Sequence, residues 1–483
     1  MTVLAIDQGT SATKAVVIDG DRVLATAEVP LTVDSRTDGA VEVDAEAMWD
    51  SVVAAGRAAL AEAGSPRLDA IGLGNQGETV LAWDRHDGRP LGPCVVWQDR
   101  RSSVVCDRLR DHGARLAHLT GLELDPYFVA PKVVWLRHQL GDQDAQVGDE
   151  VAITTTDTWL LHRLCRAFAT DVATAGRSLL LDLERGEWSE EACAIFGIDP
   201  ESLPVVVGNA TTLGSTTTFG GDVPVTGACV DQQAALFAEW CHAAGEAKCT
   251  YGTGAFLLAC AGERPVRSAN GLVGCPAWRL DDRTTWCLDG QVYTVGAAVG
   301  WLRSMGIIDD PSDLDRLGGA VGSAAGVTFV PALAGLAAPW WKPHAKAAVT
   351  GLTLGTERGH VVRAAIDGIA AQVALLARAA GADLGAPLTR LRVDGGLTRS
   401  ATLLQVQADL LQAPVEVYPS PHATAEGVAA FAAIGAGVGA VPVAPSGDRD
   451  RVGPRTVEPR IGADEAAERL AAWQAVAEAT MDR

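Results

Sequence analysis

Two short polar turns in this chain carry residues that could bind phosphate. The first spans residues 7–11 (Asp-Gln-Gly-Thr-Ser) between the apolar runs 3–6 and 15–18, a pattern that predicts a β-hairpin. Backbone N–H groups around the glycine can close on an anion, and the Thr and Ser hydroxyls add donors. Asp7, at the end of the first strand, could hold a hydrated Mg²⁺ beside the phosphates. A similar pattern returns at residues 248–258, so we expect two related halves, each presenting a phosphate-binding turn to a shared cleft.

Asp231 lies at the junction of these two halves, shortly before the second hairpin. It precedes a predicted helix over residues 232–241, so it could simply be an N-cap that accepts a backbone hydrogen bond. The positive end of the helix dipole would also keep its carboxylate ionised, which is the state that a general base requires. Its position between the two phosphate turns favours the catalytic interpretation.

Other polar features allow both a structural and a functional interpretation. Residues 393–396 (Val-Asp-Gly-Gly) precede a predicted helix, either as an ordinary strand–helix turn or as a place where a nucleotide approaches a helix N-terminus. Glu78, Trp97 and Tyr127 are individually compatible with core or loop positions.

A Gly-x-Gly-x-x-Gly pattern at residues 72–77 leads into a predicted strand. A dinucleotide site requires that pattern to open a helix, which disfavours nicotinamide binding.

The composition indicates a soluble cytoplasmic enzyme rather than a nucleic-acid-binding or membrane protein. The 483 residues carry a formal net charge of −21, which disfavours binding to nucleic acid or anionic membranes but not to a nucleotide held by local donors and a metal. The 10 cysteines form no Cys-x-x-Cys pair and no zinc-type cluster, so we expect buried free thiols. No basic segment precedes the first strand, as a signal peptide would require. The uncharged stretches 317–341 and 427–444 are rich in Gly and Ala, too weakly apolar for membrane spans.

Strands alternate with helices along the chain, which predicts an α/β fold. Strands are predicted in the first half at residues 22–30, 68–74 and 79–83, with a helix over residues 44–64 capped by Asp44. Helices are predicted in the second half over residues 361–380, 400–411, 425–434 and 464–480. Residues 445–460 are rich in Pro, Asp and Arg, which predicts a surface linker.

Taken together, these motifs resemble those of the FGGY carbohydrate kinases, and within that family most closely those of the glycerol kinases. The matching motifs occur in the family's order from the start of the chain to about residue 440, and such a series is far more specific than any one motif. They are Asp7-Gln8-Gly9-Thr10, Asn75-Gln76 with Glu78-Thr79, Val96-Trp97-Gln98 with Arg100-Arg101, Asp125-Pro126-Tyr127-Phe128, Asp157-Thr158-Trp159-Leu160, Asp231-Gln232-Gln233-Ala234-Ala235-Leu236-Phe237, Tyr251-Gly252-Thr253-Gly254 and Arg392-Val393-Asp394-Gly395-Gly396.

The resemblance implies two actin-like ATPase domains, of the ribonuclease H-like α/β fold, on either side of a catalytic cleft. It implies an N-terminal domain over residues 1–237 with the acceptor site, the first phosphate turn and the catalytic Asp. A C-terminal, nucleotide-binding domain would cover residues 238–445, and residues 446–483 would form a linker and a final helix. The implied activity is ATP- and Mg²⁺-dependent phosphorylation of a hydroxyl of a small polyol or sugar, by a cytoplasmic homodimer or homotetramer.

By position, the resemblance also implies roles for individual residues. Asp231 would be the general base, and with Asp7 it would lie near the Mg²⁺. The acceptor would contact Gly77, Glu78, Trp97, Tyr127, Asp231, Gln232 and Phe256. The ATP would contact Thr10, Ser11, Lys14, Thr253, Gly296, Gly300, Gly395, Gly396 and Ser400.

The chain departs from the glycerol kinase pattern at three places. Glycerol kinases have Arg where this chain has Gly77, and the loss removes charged donors and opens volume next to Glu78. A larger polyol or ketose, such as erythritol, threitol or xylulose, is therefore an alternative acceptor. Lys14 replaces the usual Arg. A short acidic segment, residues 219–224, replaces a basic glycine-rich regulatory loop, so we expect no regulation by a sugar bisphosphate.

An alternative from another class is a non-metabolic ATPase of the same fold, like actin or the large heat-shock chaperones. Such a protein would bind ATP and then polymerise or bind a client, with no small acceptor. The combination of Trp97, Tyr127, Asp231 and Gln232 disfavours it, because that set resembles a sugar-kinase pocket.

Overall fold

The computed structural model describes residues 1–141, 151–342, 344–443 and 455–481, and it confirms the predicted two-domain α/β fold. The strands of the N-terminal half are β1 (Thr2–Gln8), β2 (Ala12–Asp19), β3 (Arg22–Pro30), β4 (Asp34–Ser35), β5 (Val41–Val43), β6 (Ala70–Asn75), β7 (Val80–Asp84), β8 (Cys94–Val95), β9 (Val151–Thr155), β10 (Ala169–Asp171), β11 (Leu181–Asp182), β12 (Glu187–Trp188), β13 (Val205–Val207), β14 (Gly214–Thr216) and β15 (Val223–Val230). Its helices are α1 (Ala45–Glu62), α2 (Ser103–Arg108), α3 (Gly113–Thr120), α4 (Val129–Gly141), α5 (Thr156–Cys165), α6 (Val172–Ala175), α7 (Glu190–Phe196) and α8 (Asp231–Ala238).

The C-terminal half has fewer and longer elements. Its strands are β16 (Ala247–Tyr251), β17 (Ala255–Gly262), β18 (Val273–Leu280), β19 (Arg283–Val292), β20 (Thr328–Val330), β21 (Ala348–Thr350), β22 (Leu391–Asp394), β23 (Val415–Val417) and β24 (Arg455–Val457). Its helices are α9 (Gly296–Ser304), α10 (Arg358–Leu384), α11 (Ala401–Leu411), α12 (Ala423–Gly435) and α13 (Ala463–Met481). The helices predicted to begin near residues 44, 361, 400, 425 and 464 correspond to α1, α10, α11, α12 and α13. Asp44 caps α1, as predicted, by accepting from the Ala47 N–H at 2.7 Å.

The central sheets of the two halves share one plan. The first has the strand order β14-β15-β6-β1-β2-β3, in which β1 is antiparallel to β2 and parallel to β6, and β6 is parallel to β15. The second has the order β18-β19-β17-β16-β22-β23-β24, in which β16 is antiparallel to β17, and β22 and β23 follow in parallel. Each sheet therefore begins with a hairpin and continues into parallel strands. The two predicted hairpins are both present.

Parallel pairing brings the predicted site residues to one edge of each sheet. In the first sheet, Gln8 lies beside Asn75, and Asn75 lies beside Val230. The turn after β1, the residues after β6 and the start of α8 therefore lie at the same edge. In the second sheet, Thr250 lies beside Asp394, so the turn after β16 and the turn after β22 lie together in the same way.

Helices α8 and α12 join the two halves. Helix α12, from the C-terminal half, packs on β1, β6 and β15 of the N-terminal sheet and against α8, where the rings of Phe237 and Phe431 stack 4.2 Å apart. The approach is close because β6 presents Gly72 to the helix, and a Cβ there would lie 2.6 Å from Val428 Cγ1. The Gly-x-Gly-x-x-Gly pattern thus begins in a strand and makes room for a helix. It does not form a dinucleotide-binding turn.

The C-terminal tail differs from the prediction in one respect. The predicted linker over residues 445–460 includes β24, which pairs antiparallel with β23 at the edge of the second sheet. Polar residues suit a linker and an edge strand equally, because an edge strand needs a partner on one side only. Helix α13 then docks on the core, where Trp473 donates from Nε1 to the Phe329 carbonyl oxygen at 2.9 Å. The predicted boundary at residue 445 lies outside the described residues.

Helix α10 is, among the described residues, the one helix long and apolar enough to cross a membrane. The most apolar 18 residues of this helix are 72% buried inside the protein, as expected for a helix of the core. The two uncharged stretches form other structures. Residues 317–341 contain β20 between loops, and residues 427–443 contain most of α12 followed by a loop.

The tight contact between β6 and α12 makes a prediction about stability. Replacing Gly72 with Ala is expected to lower the free energy of unfolding by about 1–3 kcal/mol, because the added methyl group would overpack against Val428. Thermal unfolding, followed by circular dichroism, measures this as a lower midpoint. Gly92→Ala is the matched control, since a Cβ at Gly92 meets no atom within 4 Å. Equal midpoints for the two variants would contradict the packing role of Gly72.

Candidate active site in the cleft between the two halves

The first phosphate turn is bonded to the side chains that wall the neighbouring cavity. The turn itself is closed by the Gly9 N–H, which donates to the Ala12 carbonyl oxygen at 3.0 Å. The hydroxyl of Thr10 donates to Gln76 Oε1 at 3.1 Å and accepts from Trp97 Nε1 at 2.9 Å. The position of the Thr10 hydroxyl is therefore fixed relative to the indole ring of Trp97.

The second turn is built against the start of helix α9. The Gly252 N–H donates to the Gly254 carbonyl oxygen at 2.9 Å and closes the turn. The Gly296 N–H donates to the Gly252 carbonyl oxygen at 3.1 Å, and the next N–H of α9 donates to the Thr253 carbonyl oxygen, also at 3.1 Å. These bonds place two of the predicted nucleotide residues, Thr253 and Gly296, in contact.

The turn after β22 lies against the end of β16. Gly395 has a φ of 92°, and a Cβ there would lie 2.4 Å from the last carbonyl oxygen of β16, so the position requires glycine. A Cβ at Gly396 or at Gly300 would meet no atom within 4 Å, so both face open space. The Ser400 hydroxyl already donates to Asp315 Oδ1 at 2.8 Å.

A cavity of about 430 Å³ opens between the two halves, a volume within the usual range for small-molecule sites. The predicted residues that line it are Thr10, Ser11, Glu78, Trp97, Tyr127, Asp231, Gln232, Thr253 and Phe256. Gly77 does not line it. Its φ is 79°, and a Cβ there would lie 3.0 Å from Val230 Cγ2. A larger cavity, of about 580 Å³, lies beside α12 and contains none of the predicted residues.

Aromatic rings from both halves form one wall of the cavity. The Trp97 ring lies 5.7 Å from the Tyr127 ring, with an interplanar angle of 72°. It lies 6.2 Å from the Phe256 ring of the C-terminal half, at 81°. Such edge-to-face contacts keep the rings in place, and their faces can pack against the C–H groups of a polyol.

Asp231 is the first residue of α8, one position after the N-cap, and its Oδ1 accepts from the Gln232 N–H at 2.7 Å. Burial, with the neighbouring carboxylates of Asp7 and Glu78, raises the pKa of Asp231 to about 7, and Lys248 opposes the rise. The expected effect of the helix dipole is therefore outweighed by burial in the free protein. Added positive charge, such as a metal ion, would favour the ionised carboxylate.

Lys248 is a buried cation at the site that the sequence analysis missed. Its Nζ donates to Gln232 Oε1 at 2.5 Å and to Thr250 Oγ1 at 2.8 Å. Burial raises the pKa of Asp394, and Lys248 also opposes that rise. A lysine inside a predicted strand was the available signal, because unpaired charges are rarely buried.

Arg177 is a second buried cation that the motifs did not single out. Its Nε donates to Glu78 Oε1 at 2.6 Å, and its Nη1 lies 2.8 Å from Asp289 Oδ2 on β19 of the other half. Burial opposes the charge on the guanidinium, but Glu78 and Asp289 outweigh it and raise the pKa of Arg177. Arg177 and Asp289 both line the cavity.

Asp7 lies at the end of β1, opposite Lys14 in the hairpin. Burial raises the pKa of Asp7 to about 6, Glu28 and Asp394 add to the rise, and Lys14 opposes it. Lys14 itself lies 3.9 Å from Glu28. The described part of the chain has no group of three or more acidic, His or Cys side chains arranged around a metal. Two carboxylates, Asp7 and Asp231, fit a Mg²⁺ ion that keeps most of its waters and binds phosphate oxygens.

Sequence models of the FGGY family of carbohydrate kinases match both halves, with the N-terminal domain model covering residues 2–238 and the C-terminal domain model residues 247–436. A glycerol kinase of Alkalilimnicola ehrlichii is 41% identical over 484 residues, which cover 98% of this chain and 97% of that protein. A glycerol kinase of Thermus brockianus is 42% identical over 445 residues, 90% of each chain.

Solved structures agree with these matches. A Plasmodium falciparum glycerol kinase with ADP superposes with a TM-score of 0.90 at 29% identity, covering 99% of this chain and 98% of that one. A xylulose kinase from Brucella ovis superposes with a TM-score of 0.88 at 24% identity over 99% of both chains, which shows the shared fold. The matches to kinases extend over the whole length and leave the non-metabolic ATPase without support.

The bond between Trp97 and Thr10 makes a prediction about turnover. Trp97→Phe keeps an aromatic wall but removes the N–H donor, so we expect kcat to fall roughly five- to tenfold, the effect of one hydrogen bond of about 1 kcal/mol. Steady-state ADP release measures it. Trp188→Phe is the control, because its Nε1 donates to the Pro204 carbonyl oxygen at 2.8 Å outside the cavity. An unchanged kcat in Trp97→Phe would show that the bond does not position the phosphate turn.

Proposed function

This chain belongs to the FGGY family of carbohydrate kinases, and from that premise we propose that its cleft transfers the γ-phosphoryl group of ATP to a terminal hydroxyl of a small open-chain polyol or ketose. ATP-dependent phosphorylation of a polyol or sugar hydroxyl is the activity of the family and of its glycerol kinase relatives. The observation that carries the proposed roles is the position of Asp231, which begins α8 and faces a cavity walled by aromatic rings.

In the proposed reaction, the acceptor lies in the cavity against Trp97 and Phe256. Its terminal hydroxyl gives a proton to the carboxylate of Asp231 as the hydroxyl oxygen attacks the γ-phosphorus. The bond between the γ-phosphorus and the β,γ-bridging oxygen breaks, and ADP leaves with that electron pair. Such a transfer needs in-line positioning, neutralisation of charge and a base, and little covalent help from the protein.

The phosphates of ATP are proposed to lie between the two glycine turns. Ser11 and Thr253 offer hydroxyl and N–H donors there, Thr10 offers its N–H, and Lys14 adds positive charge. Mg²⁺, when bound near Asp7 and Asp231, supplies further neutralisation of the phosphate charge. The adenosine part of ATP is proposed to bind the C-terminal half, near the starts of its helices and at the turn after β22. The residues proposed to contact it are Gly296, Gly300, Gly395, Gly396 and Ser400.

In this proposal, each half of the chain binds one of the two substrates. Residues 1–237 hold the acceptor, the first phosphate turn and Asp231, and residues 238–445 hold the nucleotide. Phe256 and Asp289 reach the acceptor cavity from the second half. Closure of the cleft around both substrates would exclude water, which otherwise competes as acceptor.

The glycerol kinases among the relatives make glycerol a candidate acceptor, but the missing arginine at Gly77 favours a longer one. The chain has no arginine beside Glu78, where glycerol kinases have one, although Gly77 itself does not line the cavity. Four- and five-carbon polyols or ketoses, such as erythritol, threitol or xylulose, are therefore proposed as alternative acceptors. Action in the cytoplasm and assembly as a homodimer or homotetramer are further proposals that rest on the family alone.

The role of Asp231 predicts a large loss of activity on substitution. Asp231→Asn is expected to lower acceptor-dependent ADP release by about 10²–10⁴-fold, the usual contribution of a positioned general base. The measurement uses ATP, Mg²⁺ and a panel of polyols and sugars, with ATP binding by calorimetry to show an intact cleft. Asp50→Asn, an exposed change on α1, is the control. Full activity in Asp231→Asn would remove this residue from the role of base.

The loss of the arginine at Gly77 predicts acceptor preference. Because no side chain at that position holds a three-carbon substrate, we expect at least one larger polyol or ketose to exceed glycerol in kcat/KM. The measurement is a comparison of acceptors at saturating Mg²⁺-ATP. A higher kcat/KM for glycerol than for every larger acceptor would contradict the interpretation of Gly77.

A further inference from the structure

The acceptor cavity contains a charged group beyond Glu78 that the phosphoryl transfer does not use. Arg177 bridges Glu78 and Asp289, at 2.6 and 2.8 Å. Asp289 is only 4% exposed, and its Oδ1 has no hydrogen-bond partner among the described residues. Its Oδ2 is held by Arg177 and accepts from Gln291 Nε2 at 3.2 Å. The carboxylate is therefore fixed in orientation with one oxygen unused.

An unused carboxylate oxygen on a residue that lines the cavity offers an acceptor to a bound ligand. Leaving such an acceptor without a partner is costly, and buried polar groups in native proteins are almost always bonded. Arg177 also has capacity left, since no described residue accepts from its Nη2. Asp289 and Arg177 both line the cavity, so a bound molecule could reach them. A hydroxyl group suits this pair because it can donate to the carboxylate and accept from the guanidinium.

The hydrogen bonds show which part of an acceptor would reach this pair. Arg177 joins the carboxylates of Glu78 and Asp289 at the cavity wall, at 2.6 and 2.8 Å. Among the described residues, Asp231 belongs to a different bonded group, since its Oδ1 accepts from the Gln232 N–H at 2.7 Å. An acceptor whose terminal hydroxyl is at Asp231 could therefore place its other end at Arg177 and Asp289, which line the same cavity.

We propose that Asp289 and Arg177 form a distal acceptor subsite that binds the hydroxyls of the fourth or fifth carbon of an open-chain polyol or ketose. The proposal rests on the proposed function, since it takes the reacting hydroxyl to be at Asp231. A longer chain would gain a hydrogen bond to a buried charge at this subsite. Glycerol, with three carbons, ends before this subsite.

The first test uses the wild-type protein and pairs of acceptors that differ by one distal hydroxyl. Erythritol and threitol are compared with 1,2,3-butanetriols of matching configuration, and xylulose with 5-deoxyxylulose. We expect the analogue of the best acceptor to lose roughly 10- to 100-fold in kcat/KM, the range for one hydrogen bond to a charged group. Equal values for hydroxyl and deoxy compounds would overturn the subsite.

The second test uses Asp289→Asn, which keeps the side-chain shape and removes the charge. We expect the ratio of kcat/KM for the best long acceptor to kcat/KM for glycerol to fall about tenfold or more, because glycerol does not reach Asp289. Asp282→Asn, an exposed change on the same β18–β19 hairpin, is the matched control. An equal loss for glycerol and for long acceptors would mean that Asp289 acts only in folding, and the subsite would be wrong.

The two proposals fail in different ways. If no polyol or ketose raises ADP release above the rate in water, both the proposed function and the subsite are wrong. If turnover depends on Asp231 but not on the distal hydroxyl, the kinase stands and the subsite alone is wrong.

Discussion

Three carboxylates are buried in the cleft, and the need to balance their charge with buried cations shapes the whole site. Asp7, Asp231 and Glu78 come from the N-terminal half, and burial raises the pKa of each. The carboxylates of Asp7 and Glu78 raise the pKa of Asp231 further. The structure offsets this with cations that cross between the halves. Lys248, from the C-terminal sheet, donates to Gln232 of α8. Arg177, from the N-terminal half, reaches Asp289 of β19. Each of these cations therefore bonds a residue of the other half across the cleft.

Helix packing at the base of the cleft also joins the two halves. Helix α12 of the second half packs on the first sheet through Gly72, and α8, which begins with Asp231, packs against α12. A residue at the start of α8 is therefore positioned by elements of both halves. This arrangement suits a phosphotransferase, in which the acceptor and the phosphates must be aligned at the moment of transfer.

Much of this architecture could be predicted from the sequence, and the reasons differ by element. The hairpins at β1–β2 and β16–β17 followed from apolar runs around glycine turns, and the long helices followed from their caps. The short strand β24 was missed because its polar residues carry no strand pattern. Trp97, Tyr127 and Phe256 were predicted from motif position, and the structure places all three on one cavity. Arg177 was missed because its partners Glu78 and Asp289 lie about a hundred residues away on either side, and only the fold pairs them. Lys248 was missed although its partners Gln232 and Thr250 are near in sequence.

The central claim is that Asp231 accepts the proton during transfer, and the rate of the transfer step itself tests it most directly. With excess enzyme, Mg²⁺-ATP labelled in the γ-phosphate and saturating acceptor, rapid quenching gives the single-turnover rate without product release. The account predicts that Asp231→Asn binds both substrates with little change in affinity, while the transfer step slows by about 10² or more. A transfer step at the wild-type rate, with both substrates bound, would contradict it.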